Sequence, residues 1–134
     1  MEYLVGALLA LGVGVFATVV GLDRDRAFYP VVLAVIASYY VLFAIMGGAR
    51  DVMVVEAVIL GGFLAVSVAG FRSSLWLVVA ALLGHGVLDF VHPHLITNPG
   101  APSWWPMFCL TFDVAAAGYL AARLLRTGGA AGRP

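Results

Sequence analysis

All three histidines of the chain fall within ten residues, His85-Gly86-Val87-Leu88-Asp89-Phe90-Val91-His92-Pro93-His94. His85, Asp89 and His92 stand at i, i+4 and i+7, so on a helix their side chains share one face. Neutral imidazole and carboxylate are ordinary ligands of zinc, iron and manganese. On this spacing His85, Asp89 and His92 are candidate ligands of one divalent metal, with Glu56 or Asp113 available to complete the shell. Two other readings fit the same residues. One is a structural network in which His85 bonds to Asp113 or Glu56. The other is a cavity for an ion, a proton or a small ligand.

Composition fixes the surroundings of these groups. The 134 residues are 63% hydrophobic and 10% charged, and mean hydropathy is +1.07. A soluble domain carries about 25% charged residues, and no soluble fold of this length hides so much apolar surface. The bilayer must be the solvent. Seven basic and seven acidic residues balance to zero, so charge indicates no nucleic-acid partner. Cys109 is the single cysteine, which excludes an intrachain disulfide and a multi-cysteine metal knuckle. Glu2 stands where a signal peptide would be basic, so the first apolar run is expected to be a retained span.

Five runs approach the roughly 20 apolar residues a membrane helix needs, at about 3–22, 30–46, 52–70, 75–91 and 106–125. The predicted fold is an all-α integral membrane bundle of five transmembrane helices, one domain over 1–127, with 128–134 a flexible tail. Short connections predict antiparallel packing of sequential helices. Arg24, Arg26, Arg72, Arg123, Arg126 and Arg133 fall on one side of such a bundle and Arg50 alone on the other. The positive-inside rule then puts the N-terminus outside and the C-terminus in the cytoplasm of a bacterial inner membrane. Trp104 and Trp105 mark the outer interface and Trp76 the inner one. Small residues fall in rows, Gly6-Ala10-Gly14-Thr18 on the first helix and Ala57-Gly61-Ala65-Ala69 on the third. Ala115–Gly118 adds a smooth patch on the fifth. Such rows serve close packing inside the bundle or a homo-oligomer contact.

With this orientation the polar groups converge in the outer half of the bilayer. At about 1.5 Å per residue, Glu56 lies roughly 7 Å below the outer end of its helix, with His85, Asp89 and Asp113 at comparable depth on two others. Ser38, Tyr39 and Tyr40 reach a similar level. Ionisable residues at such depth face the bundle interior and mark a functional site. The expected pocket comprises Tyr39, Tyr40, Glu56, His85, Asp89, Cys109 and Asp113, with Arg50 beside it as a fixed cation for an anionic head group or a partner for Asp51. Asp51 is the expected N-cap of the third helix. Gly84 and Gly86 open space beside His85 for a helix or ligand. Asp23-Arg24-Asp25-Arg26 reads as a solvated loop, and His92 and His94 as wet interfacial histidines when not ligands. The segment 92–105, with Pro93, Pro99 and Pro102, is either a lid or a connector anchored by the tryptophans.

The stretches Asp23–Pro30 and His85–Asp89, with Asn98-Pro99-Gly100 and Trp104-Trp105-Pro106, resemble small multi-pass bacterial membrane proteins with no assigned function. The resemblance implies the architecture and no activity. Three functions fit these residues. The first is a binding or transport protein for a metal ion or small lipophilic ligand. The second is a metal-dependent enzyme acting on a membrane lipid, with Glu56 or Asp113 as general base. The third is a structural or accessory subunit.

Overall fold

The computed structural model describes the backbone of residues 1–131 and side chains as far as Gly128; Arg133 lies outside the described residues. Among the described residues there are five long helices and no strand. They are α1 (Glu2–Val20), α2 (Phe28–Met46), α3 (Arg50–Arg72), α4 (Trp76–Leu95) and α5 (Trp105–Ala131), with a single 3-10 turn at Leu22–Arg24. Each of the five is long and apolar enough to cross a membrane.

The distribution of side chains is inverted relative to a water-soluble bundle. Leu4, Phe16, Val58, Val87 and Phe90 face outward, whereas Glu56, His85, Asp89, His92 and Asp113 are fully buried. Hydrocarbon outside and polar groups inside is the arrangement a bilayer requires. Helix ends are closed locally. Gly21 adopts φ 89° and its N–H bonds the Ala17 carbonyl, the left-handed stop that ends α1 without a side-chain clash. Arg26 donates to the carbonyls of Gly70, Phe71 and Ser73, satisfying the end of α3.

Sequential packing holds for α2 on α3, α3 on α4 and α4 on α5, but the main partner of α1 is α5. The small-residue row explains why. A side chain at Gly6 would strike the Phe108 carbonyl and Thr111, and one at Gly14 the Tyr119 ring, so their absence lets α1 lie directly on α5. The corresponding row of α3 behaves differently. Ala57, Gly61, Ala65 and Ala69 are all exposed, and a side chain at Gly61 would meet nothing. The expectation of packing within the bundle holds for α1 and fails for α3.

Several boundaries also differ from expectation. Arg50 and Asp51 are already helical; the N-cap of α3 is Ala49, and Asp51 makes no capping bond. α4 continues through Pro93 to Leu95, past the expected end at 91, and Pro93, having no N–H, leaves the bond to the Asp89 carbonyl unmade. α5 extends past Gly128 to Ala131, into the segment expected as a tail, whose positions 132–134 lie outside the described residues.

Gly6→Ala should lower stability by about 1–3 kcal/mol through overpacking. Gly61→Ala should be neutral or stabilising by up to about 1 kcal/mol, since it improves helix propensity in open space. Thermal unfolding in detergent micelles reads both, and equal effects would contradict the assignment of the two faces.

Candidate metal centre

Two adjacent helices build the centre. On α4 the i, i+4 spacing stacks His85 over Asp89, and on α5 it stacks Cys109 over Asp113, each pair on an inward face. Gly86 lets the helices close: a side chain there would press on Leu110 at 3.2 Å and come within 3.6 Å of the Asp113 Cβ. Gly84, in contrast, is exposed and faces away from the centre. The close approach brings His85 Nδ1 to 2.6 Å from Asp113 Oδ2 and 3.4 Å from Asp89 Oδ2. Cys109 Sγ lies 4.0 Å from the same Asp113 oxygen. One donor atom from each of His85, Asp89, Cys109 and Asp113 lies within 4.8 Å of all the others, and all four residues are buried.

The centre is short of bonding partners. Asp89 Oδ1 accepts the Tyr40 hydroxyl at 2.8 Å, but Asp89 Oδ2 and Asp113 Oδ1 are buried without a hydrogen bond. Two carboxylates face one imidazole. Even a charged His85 would offset only one of them, and the balance requires a proton or a cation. Phe63 of α3 closes the site, its ring edge-on to His85 at 4.9 Å.

Glu56 and His92 form a separate pair nearer the 96–104 connection. Glu56 Oε1 lies 2.6 Å from His92 Nε2 and also accepts from the Asn98 amide at 3.3 Å. His92 is therefore a buried partner of Glu56, rather than a third ligand beside His85 and Asp89 or a wet interfacial residue. The two groups communicate through Tyr40, whose ring stacks on His92 at 3.8 Å while its hydroxyl holds Asp89. The connection itself is anchored. Asn98 donates to the Tyr40 carbonyl at 2.9 Å, and a side chain at Gly100 would fall on the Phe43 carbonyl. It plugs this end of the bundle with backbone contacts as well as with the tryptophans.

Two expected pocket residues, Arg50 and Tyr39, sit elsewhere, as does Ser38 from the same depth. Arg50 is exposed at the start of α3 and makes no ion pair with Asp51. The Ser38 hydroxyl bonds back to the Val35 carbonyl. Tyr39 packs on Trp105, with ring centroids 4.8 Å apart, in a groove on the flank of the bundle.

At the opposite end the structure gathers groups that the sequence reading left apart. The Asp23 side chain is buried, its Oδ2 bonded to Arg123 at 2.8 Å and to Thr18 at 2.6 Å, with the Tyr119 hydroxyl 2.7 Å from Thr18. The first loop is thus tied to α1 and α5 rather than freely solvated. The available signal was the spacing of Thr18 one turn beyond Gly14 and of Arg123 one turn beyond Tyr119.

Comparison with family models, curated proteins and solved structures finds no match. The resemblance to small multi-pass bacterial proteins rests on its short motifs alone.

Tyr40→Phe leaves Asp89 Oδ1 buried without a donor and should cost about 1–3 kcal/mol. Tyr39→Phe, on the flank, should change stability by no more than about 0.5 kcal/mol. Chemical denaturation of the two variants separates them; a benign Tyr40→Phe would contradict the buried bond.

Proposed function

We propose that this chain is a small multi-pass membrane protein whose His85, Asp89, Cys109 and Asp113 hold one divalent transition metal inside the bundle. The observation that carries the reading is the meeting of four donor side chains within 4.8 Å, all buried, with two carboxylate oxygens lacking partners. A cation answers both deficits: it supplies the missing positive charge and accepts the idle lone pairs. One sulfur, one imidazole nitrogen and two carboxylate oxygens suit zinc best, with iron next; manganese prefers an all-oxygen shell. Tetrahedral bonds of about 2.0–2.3 Å place donors roughly 3.3–3.8 Å apart. The centre reaches that spacing with movements of about 1 Å, exchanging the His85–Asp113 hydrogen bond for metal bonds.

Four protein donors make a closed shell, which favours a binding role over water activation. Glu56 is engaged by His92 and Asp113 belongs to the ligand set, so neither stands free as a general base. The enzyme reading has one observation in its favour: Cys109 also lines the flank groove, and a shell without it would present an open position there. The basic residues support an orientation. Arg24, Arg26, Arg72, Arg123 and Arg126 crowd the end that carries Asp23, and Arg50 the end that carries Asn98. By the positive-inside rule the Asp23 end faces the cytoplasm of a bacterial inner membrane and the N-terminus lies outside. The exposed small-residue row of α3 is then left for lipid or for a homo-oligomer contact.

Elemental analysis of chelator-free protein should find near-stoichiometric zinc or iron. His85→Ala and Asp113→Asn should lose it, and Glu56→Gln should retain it. Protein that purifies without metal and takes up none from zinc buffer would overturn the reading.

A further inference from the structure

Two cavities approach the buried centre, and their walls differ in chemistry. The flank groove reaches Cys109 and supplies no imidazole or carboxylate on the way. The other, about 290 Å³, lies under the 96–104 connection, and its walls include His92, Thr97, Asn98 and Ser103. Behind His92 stands Glu56, with Oε1 2.6 Å from His92 Nε2 and Oε2 buried without a hydrogen bond. Neither residue belongs to the four-donor centre. Both carry metal-ligand chemistry. From His92 the way inward is short. Asp89 lies three residues back along α4 and His85 four more, rises of about 4.5 Å and about 6 Å. Tyr40 spans the first interval, its ring stacked on His92 at 3.8 Å and its hydroxyl 2.8 Å from Asp89 Oδ1. Asp89 Oδ2 lies 3.4 Å from His85 Nδ1. One oxygen of Asp89 therefore meets the group that touches His92, and the other meets the centre.

We propose that Glu56 and His92 form a transfer site through which the divalent metal passes from the cavity under the connection to Asp89 and the centre. The proposal rests on the metal reading above and adds its route. A dication entering a hydrocarbon-clad bundle must exchange its water for other donors at every step. His92, Glu56 and Asp89 offer those donors in order of depth. The ion displaces the hydrogen bond between Glu56 and His92, the ring proton moving to Nδ1, and binds the carboxylate and Nε2. Two protein donors are too few to retain it, whereas the next step offers four.

The test adds cobalt(II) to metal-free, full-length protein in detergent micelles and follows uptake by stopped flow. A bond from cobalt to the Cys109 thiolate absorbs in the near ultraviolet and so reports arrival at the centre. In Glu56→Gln and in His92→Gln the absorbance should rise roughly tenfold or more slowly than in wild type and reach the same final value. Val13→Phe, which fills the flank groove, should leave the rate unchanged. A pair with only a structural role would, once loosened, admit the ion as fast as before or faster. That result in both variants, or slowing by Val13→Phe, would overturn the route and leave the metal centre standing. A final absorbance lost in Glu56→Gln would make Glu56 a ligand of the centre and also overturn it. Wild-type protein that takes up no cobalt would sink the centre and the route together.

Discussion

A carboxylate placed in hydrocarbon must find a proton, a cation or a donor, and three of them inside this bundle dictate much of its construction. Asp113 meets His85, Asp89 meets Tyr40, and Glu56 meets His92 and Asn98. Each pairing joins different helices. Asp113 and His85 bind α5 to α4, Asp89 and Tyr40 bind α4 to α2, and Glu56 and His92 bind α3 to α4. Polar pairing therefore does part of what the hydrophobic effect cannot do in lipid, since tails solvate leucine as well as another helix does. α4 takes part in all three pairings and acts as the hub.

The fourth attachment has a different origin. α1 contributes no group to these pairings and is held to α5 by close backbone contact through Gly6 and Gly14. At the helix end, Thr18 and Asp23 secure it to Tyr119 and Arg123. With α1 committed to α5, nothing fills the space beside α2, and the flank groove follows from that choice of partner. Cys109 stands where the two features meet, bordering the groove on one side and Asp113 on the other.

The sequence made the five helices and the convergence of polar groups legible because both are local or nearly so. Apolar runs announce spans, and one helical period fixes which of His85, Asp89 and His92 share a face. The pairing of His85 with Asp113 was among the readings for the same reason of depth. Partner choice across helices was less accessible. Depth alone leaves Glu56 and Asp113 equivalent, and only packing separates them, sending one to His92 and the other to His85. Arg50 looked close to the pocket in depth but points away from it in rotation about α3, a degree of freedom that depth does not constrain. Asp23 was misplaced because a loop of alternating charges resembles a solvated one until Arg123, a hundred residues later, arrives beside it.

The most direct test of the metal centre is X-ray absorption at the zinc edge of the purified protein. Zinc held by His85, Asp89, Cys109 and Asp113 should give one sulfur scatterer at about 2.3 Å with nitrogen and oxygen scatterers at about 2.0–2.2 Å. The sulfur shell should vanish in Cys109→Ser. A shell of light atoms alone, or one that Cys109→Ser leaves unchanged, would contradict it and place the zinc elsewhere.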